Sequence, residues 1–395
     1  MSIYSIRQNK LQERLKERGI DGMVVTQNVS IYYLTGSMQN GLLVLPAEGE
    51  AVYYVRRSVA RAKEESCSRV EEQGSLRTLG ERALPLVRGR SGPGGRPVLA
   101  ADLDVLPVQT FRRLEEAFGD AVWKDGSALL REQRMVKGEE ELDRIRAAAR
   151  VAEEAFEKAL TWLEPGLTDV EWMTEIEAEI RRRGHIGLMR MRSYNQELIT
   201  GMVGSGAEMA VPTYFDGPAG GRGLTAASPQ GAGRKRIARD EPILVDIGCC
   251  IDGYVIDQTR TVVIGELPER LFAAYEASER ILAACEAMLR PGTVCEDIYA
   301  RATELAVNEG LSAHFMGYGA DQVRFIGHGI GLEIDEWPVL AKGFRQPLEP
   351  GMVLAVEPKF TFPGLGVVGI ENSYAIREDG FEKLTLTREG LIRLP

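Results

Sequence analysis

Five residues in the C-terminal half carry chemistry: Asp246, Asp257, His328, Glu357 and Glu371. They stand in apolar runs, most of them close to glycine: Val245-Asp246-Ile247-Gly248, Val255-Ile256-Asp257, Gly327-His328-Gly329, Ala355-Val356-Glu357 and Gly369-Ile370-Glu371. Four carboxylates and one imidazole form a hard donor set suited to a pair of Mn²⁺, Fe²⁺, Co²⁺ or Zn²⁺ ions. Two such ions about 3.5–4 Å apart bind one water between them, lower its pKa and polarise a carbonyl. The set therefore points to metal-assisted hydrolysis.

Strand geometry brings these residues together in pairs. Asp252-Gly253 is a strong two-residue hairpin signal. A hairpin centred there puts Ile251 opposite Tyr254, Gly248 opposite Asp257 and Asp246 opposite Thr259. Side chains alternate faces along a strand, so Asp246 and Asp257 share one face as diagonal neighbours, about 5.5–8 Å apart at the backbone. Carboxylates that close on an apolar ribbon repel unless protons or cations neutralise them. Glu357 and Glu371 flank a second turn region, Pro363-Gly364-Leu365-Gly366. Charged residues inside apolar strands rarely stay unpaired. His328 is one of three histidines. A lone histidine is more often structural, but its glycine neighbours allow close approach of other groups, and the four carboxylates favour a ligand role. Glu357, placed beside a bridging water, doubles as general base.

The elements that position these residues fall into two domains, 1–132 and 133–395, as the length of 395 residues suggests. The first reads as α/β. It has a helix over 5–19, apolar strand-like runs at 22–26, Tyr32–Leu34, Gly41–Leu45 and Ala51–Val55, a helix near 57–66, a strand at Pro97–Ala101 and a helix at 107–118. Apolar density falls over Ala128–Lys137, which marks its end. A long helix with an acidic start then runs from Glu139 to Leu163 and stops at Glu164-Pro165-Gly166. Thr168 or Asp169 caps a second helix through Arg183. Strands at 186–194 and 197–204 follow, then a Gly-, Ala-, Pro- and Ser-rich stretch over 205–235, expected to be a lid or substrate-facing loop. Strands at 242–248 and 254–263, helices at 268–290 and 294–309, and strands at 324–334, 352–360 and 367–377 complete the pattern. A weak two-fold repeat relates 139–204 to 268–334.

Composition narrows the function. Apolar content is 44%, charged content 27%, and the formal net charge is −10. This acidity argues against nucleic-acid or anionic-membrane partners, since phosphate contacts need clustered Lys and Arg. The basic runs at Arg181-Arg182-Arg183 and Arg234-Lys235-Arg236 are short and read as solvated surface or lining for an anionic substrate. The five cysteines show no CxxC spacing, and Cys249-Cys250 read as buried free thiols, consistent with a reducing cytoplasm. The N-terminus lacks the apolar core of a signal peptide, and no run of 18 apolar residues predicts a membrane span. Arg260 alternates with Thr259 and is expected to face away from the carboxylates in a structural ion pair, and Tyr254 reads as packing.

The motifs resemble the pita-bread metallohydrolase family, which includes methionine aminopeptidase, aminopeptidase P, prolidase and creatinase. The segments that carry the resemblance are Val245–Gly248, Gly253–Thr261, Gly327–Leu332, Glu349–Val353 with Val356-Glu357-Pro358, and Gly369–Asn372. It covers about residues 139–390, and residues 1–130 resemble the N-terminal domain of the prolidase/creatinase branch. It implies an α/β creatinase-like N-terminal domain, an α+β pita-bread C-terminal domain, two divalent metals on the five matching residues, and a homodimer. It also implies a small peptide or small-molecule amide as substrate, as for an Xaa-Pro dipeptidase or aminopeptidase P. Four positions depart from the pattern. Thr213, Arg324 and Asp335 stand where prolidase-like members usually carry histidines, and Gly369 stands where an arginine is common. Arg324 and Asp335 become candidate substrate contacts, for a carboxylate and a cation respectively, and Tyr214 a candidate from the long loop. Oxyanion stabilisation then falls to the metals, Arg324, a tyrosine or backbone N–H groups. These departures open two alternatives, a creatinase-type C–N hydrolase or lyase on a small molecule, and a non-catalytic metal-binding protein of the same fold. The second is disfavoured because five buried charged or polar groups cost stability without metal.

Overall fold

Val24, Leu42–Leu45 and Tyr53-Tyr54 are fully buried or nearly so, the mark of a sheet covered on both faces. They belong to the first of two units into which the computed structural model divides, Met1–Arg134 and Met135–Pro395. The structure describes residues 2–87, 95–192, 194–197 and 199–395. The first unit contains α1 (Ile3–Glu17), β1 (Gly22–Val25), α2 (Asn28–Thr35), β2 (Gly41–Pro46), β3 (Val52–Val55), α3 (Val59–Glu65), β4 (Arg69–Glu72), α4 (Leu76–Val87), β5 (Val98–Ala101), α5 (Val108–Phe118), β6 (Val122–Asp125) and α6 (Ser127–Met135). Its sheet has the order β4-β3-β2-β1-β5-β6, with β1 antiparallel to β2 and parallel to β5. Tyr32–Leu34, expected as a strand-like run, lies instead in α2, which ends at a left-handed Gly36. Residues 128–135, expected only as a boundary, form most of α6.

The second unit contains α7 (Glu139–Leu160), α8 (Asp169–Arg182), β7 (Gly201–Ser205), α9 (Gly206–Met209), β8 (Ile243–Ile251), β9 (Tyr254–Ile264), α10 (Glu269–Glu286), α11 (Cys295–Asn308), β10 (Phe325–Gly329), β11 (Glu336–Ala341), β12 (Val353–Val356), β13 (Lys359–Phe362), β14 (Gly366–Gly369), β15 (Asn372–Arg377), β16 (Gly380–Lys383) and β17 (Ile392–Leu394). The acidic first turn of α7 and a capping box at α8, where Thr168 and Glu171 bond each other's backbone N–H, start the helices as the sequence indicates. One sheet has the order β17-β9-β8-β7 and another β11-β10-β12-β15-β16, while β13 and β14 form a separate hairpin. Phe156, Trp172 and Ile176 of α7 and α8 pack on Val203, Val245 and Val262 of the first sheet. Tyr275, Ile281 and Ile298 of α10 and α11 join Ile326, Leu354 and Tyr374 of the second. The order of a helix pair followed by sheet strands thus recurs, as the repeat between 139–204 and 268–334 anticipates.

Two expected strands change. No strand forms over 186–194 among the described residues; Ser193 lies outside them. Gly187 takes a φ of 85°, and Ile186, Met189 and Met191 spend their apolar surface on a cluster with Cys250, Val255 and Ile334 rather than on a ladder. The 197–204 expectation shrinks to β7, with Leu198 outside the described residues. The long strands expected at 352–360 and 367–377 each break at a glutamate, at Glu357-Pro358 and at Ile370-Glu371. Pro358 has no N–H with which to continue a ladder.

Glu382 on β16 ties that hairpin to α7. It takes two bonds from Arg146, Nε to Oε1 at 2.7 Å and Nη2 to Oε2 at 2.8 Å, and a third from Arg377 Nε at 2.9 Å. The Arg146 bonds, outweighing partial burial, hold its carboxyl down at about 2. A carboxylate depressed on folding adds stability above its unfolded pKa, and that stability is lost as pH falls through the folded value. The side chain is one-third exposed (33%), so solvent screening discounts the full shift to about 1–2 kcal/mol. Glu382→Gln should therefore lower urea-unfolding stability by about 1–2 kcal/mol at neutral pH. The gap to wild type should close between about pH 5 and pH 2, whereas a pH-independent gap would assign the loss to packing.

Candidate metal centre

The β8–β9 register pairs Ile251 with Tyr254, Gly248 with Asp257 and Asp246 with Thr259, as the sequence predicts. Asp252 and Gly253 make the turn with φ of 49° and 89°. Asp246 and Asp257 consequently face the same cavity. Glu371 arrives between β14 and β15 and is bonded to β9. Its N–H donates to Thr259 O at 3.1 Å, and Thr259 Oγ1 donates to its Oε2 at 2.6 Å. Glu357 follows β12, and its N–H donates to Ile326 O at 3.0 Å, which carries the ladder with β10 one residue further.

His328 lies in the middle of β10, opposite Ala355 of β12. Its Nδ1 sits 3.2 Å from Asp335 Oδ1 and 3.2 Å from Gly329 O. Its Nε2 points the other way, 3.9 Å from Asp257 Oδ2 and 3.7 Å from Glu357 Oε1. A histidine whose far nitrogen is held by a carboxylate is oriented as metal-binding histidines are. Donor atoms of Asp257, His328 and Glu371 lie within 4.8 Å of one another. Burial would push the imidazole down, but Asp335, Glu357 and Glu371 outweigh it and raise its affinity for a proton. Burial, then Glu371 and Asp246, pushes Asp257 well above the usual carboxylate range. Asp246 is raised as well, chiefly by burial. Negative charge exceeds positive charge at this end, which is what a divalent cation corrects.

The sequence reading missed Lys359. Its side chain, 1% exposed, brings Nζ within 2.6 Å of Glu357 Oε2, 3.1 Å of Asp246 Oδ2 and 3.1 Å of Glu371 Oε2. Burial favours the neutral amine, yet the three carboxylates outweigh it and hold the ammonium well above its ordinary pKa. The five expected ligands converge on one cavity, and the ammonium of Lys359 stands among three of them. Asp257, His328 and Glu371 gather their donor atoms within 4.8 Å of one another, and Glu357 Oε1 lies 3.7 Å from His328 Nε2. Asp246, Glu357 and Glu371 instead face an ammonium. The signal for Lys359 was available, since residues two apart on a strand share a face. Its partner across the β13–β14 hairpin is Gly369, where a Cβ would lie 2.7 Å from Lys359 Cγ and 2.6 Å from Pro358 O.

A second layer fixes the ligands. Arg260, 1% exposed, donates from Nε to Arg388 O, from Nη1 to Thr259 O and Glu371 O, and from Nη2 to Asn372 Oδ1 and Thr387 O. It faces away from the carboxylates as expected, but the expected ion pair gives way to bonds with carbonyls. Tyr254 packs in the core and donates its hydroxyl to Glu141 Oε1 at 2.9 Å. Glu336 Oε1 accepts from the N–H groups of Leu332 and Glu333, and its Oε2 meets Lys137 Nζ at 3.1 Å. This buried pair fixes the turn that presents Asp335.

The acidic cavity holds about 70 Å³. Met189, Met202, Phe215, Phe325 and Ile334 supply its apolar walls. Phe215, Asp216, Pro218 and Gln230 come from the 205–235 stretch, so that stretch does face the site. Asp335 lines the cavity, with His328 Nδ1 3.2 Å from its Oδ1. Arg324 is exposed at the head of β10 and is absent from the lining among the described residues. Tyr214, 51% exposed, lines a neighbouring cavity of about 580 Å³ together with Thr213 and Tyr318. Neither Arg324 nor Tyr214 is therefore brought to the acidic centre; at position 215 the loop turns a phenylalanine inward instead. No helix among the described residues is long and apolar enough to cross a membrane.

Comparison with known proteins fits this geometry. Residues 143–378 match metallopeptidase family M24, and residues 7–136 match the creatinase/prolidase N-terminal domain. The Xaa-Pro dipeptidase of Pyrococcus furiosus is 26% identical over 98% of this chain and 99% of its own. A probable dipeptidase PepE of Mycobacterium tuberculosis is 28% identical over 100% of this chain and 97% of its own. The solved structure of an Xaa-Pro dipeptidase from Bacillus anthracis superposes with a TM-score of 0.83 at 25% identity, covering 99% of this chain and 100% of that one. The expected architecture, a creatinase-like α/β unit followed by an α+β pita-bread unit, is borne out.

The Arg260 clamp can be tested directly. Arg260→Lys keeps the charge but cannot reach the same set of carbonyls, and buried acceptors left without donors cost about 1–3 kcal/mol each. The variant should lose about 2–4 kcal/mol in denaturant unfolding. A loss below about 0.5 kcal/mol would show that the strand pairing holds Glu371 without it.

Proposed function

The chain belongs to metallopeptidase family M24, and from that premise we propose that it hydrolyses an amide-type C–N bond of a small substrate with a divalent metal held at Asp257, His328, Glu357 and Glu371. The observation that carries this reading is the convergence of these donors in a buried cavity, at spans a cation bridges. The relatives named as Xaa-Pro dipeptidases make a proline-terminated dipeptide the first substrate class. A second reading, creatinase-type hydrolysis of a small cationic amide or amidine, is favoured by the lining. Asp216 and Asp335 add negative charge there, and no arginine lines the acidic cavity among the described residues. We also read the protein as a cytoplasmic homodimer, on its five free thiols and on the family resemblance.

A metal of this kind, Mn, Co, Fe or Zn, supplies Lewis acidity and lowers the pKa of water. The protein's own groups do the rest. Glu357 accepts the proton of the attacking water and passes it to the leaving nitrogen. Lys359 fixes Glu357 through Oε2, which leaves Oε1 directed at the centre. Gly329 O accepts from His328 Nδ1, with the Asp335 carboxylate 3.2 Å from that nitrogen, and Nε2 is so turned inward. Met189, Phe215 and Ile334 exclude bulk water, which strengthens each charge interaction inside.

The test is a panel of Xaa-Pro dipeptides, small N-acyl compounds and amidines with Mn²⁺- or Co²⁺-loaded protein. Glu357→Gln should lower kcat about 10²–10⁴-fold, with bound metal counted alongside. Turnover of the dipeptides alone selects the first substrate class, and turnover of the cationic amides or amidines alone selects the second. An unchanged kcat in the variant, or no turnover of any compound, would refute the hydrolase reading.

A further inference from the structure

We propose that Lys359 is a built-in cation standing in for a second metal ion, so that the centre takes one divalent ion per chain. This inference rests on reading the centre as a cation site and goes further by fixing how many ions it accepts. The donors divide into two groups. Toward His328, Asp257 Oδ2 and Glu357 Oε1 lie 3.9 and 3.7 Å from Nε2, both beyond hydrogen-bond length. Toward Asp246, the oxygens already accept protons: Asp246 Oδ2 from Lys359, Glu357 Oε2 from Lys359, and Glu371 Oε2 from both Lys359 and Thr259. An ion bound at that end would displace these bonds and stand beside a fixed positive charge.

The lysine has nowhere else to go. It sits in a hairpin, paired with Gly369, and its side chain is 1% exposed. Gly369 leaves the space its stem occupies, since a Cβ there would lie 2.7 Å from Lys359 Cγ. An ammonium has three protons, and Asp246, Glu357 and Glu371 take one each. No donor remains for substrate, so Lys359 is a positioning residue that acts through the carboxylates it holds. The charges also suit one ion. Without Lys359 the four carboxylates would carry −4, which two divalent cations neutralise; with it they carry −3, and a second divalent cation would leave the centre positive.

Metal counting tests this without reference to turnover. Apo protein is titrated with Mn²⁺, and bound ions are counted by mass spectrometry after gel filtration and by electron paramagnetic resonance. Wild type should saturate at one Mn²⁺ with the six-line spectrum of an isolated ion, and Lys359→Ala should take two and show a spin-coupled pair. Two ions in wild type would overturn the inference and leave the hydrolase reading standing. No bound ion would overturn the inference and the metal part of that reading together. A folded Lys359→Ala that still holds one ion would show that the lysine is not what excludes the second. If that variant does not fold, the wild-type count and its spectrum decide.

Discussion

Four carboxylates held within one small buried cavity repel each other, and much of the second unit answers that repulsion. Removing one carboxylate from water costs several kcal/mol even after local relaxation. No single contact balances such a cost. Here it is divided among an ammonium, an imidazole, hydroxyl donors and backbone amides. Thr259 holds one oxygen of Glu371, the N–H of Gln258 holds Asp257 Oδ1, and Lys359 reaches three of the four. Burial raises Asp257 and Asp246 because this compensation is incomplete, and a divalent cation completes it.

Holding like charges together also requires a backbone that cannot relax away from them. The acids come from both sheets, and the bridge between Thr259 and Glu371 joins these sheets at the centre. Arg260 crosses the same junction from the opposite face of β9 and bonds carbonyls on both sides of it. The buried Lys137–Glu336 pair plays the equivalent part for the turn before β11, whose amides it gathers so that Asp335 meets His328. The adjacent thiols of Cys249 and Cys250 pack among these strands. Burial pushes them up to about 12 and 11, so they contribute volume rather than reactivity.

Local rules made part of this legible in the sequence. Asp252-Gly253 admits one tight turn, and that turn fixes the whole β8–β9 register and the shared face of Asp246 and Asp257. The glutamates were visible as charges in apolar runs for the same reason. Lys359 was not singled out, although it falls inside the strand expected over 352–360 and two residues from Glu357, because an ammonium is no metal ligand and a search for donors passes over it. That Arg324 and Tyr214 lie outside the acidic cavity was not legible, because charge and proximity in sequence say nothing about direction at a strand head or on a glycine-rich loop. The failed strand over 186–194 shows the limit of apolar density as a signal. Ile186, Met189 and Met191 are buried or half-buried, but by a cluster and not by pairing.

The departures from the prolidase-like pattern are linked rather than scattered. Gly369, where an arginine is common, lies across the hairpin from Lys359, and a Cβ there would meet Pro358 O at 2.6 Å, Lys359 Cγ at 2.7 Å and Lys359 Cα at 2.8 Å. Asp335, where a histidine is usual, meets His328 through a carboxylate, which gives the imidazole a fixed orientation and a negative partner. Together these changes move positive charge from the walls of the cavity to its floor. The walls keep Asp216 and Asp335, while the ammonium beneath is saturated by the ligands themselves. On the second reading proposed for the function, those wall carboxylates would attract a cationic substrate and repel a carboxylate, while Lys359, with its three protons taken by Asp246, Glu357 and Glu371, offers no donor to either.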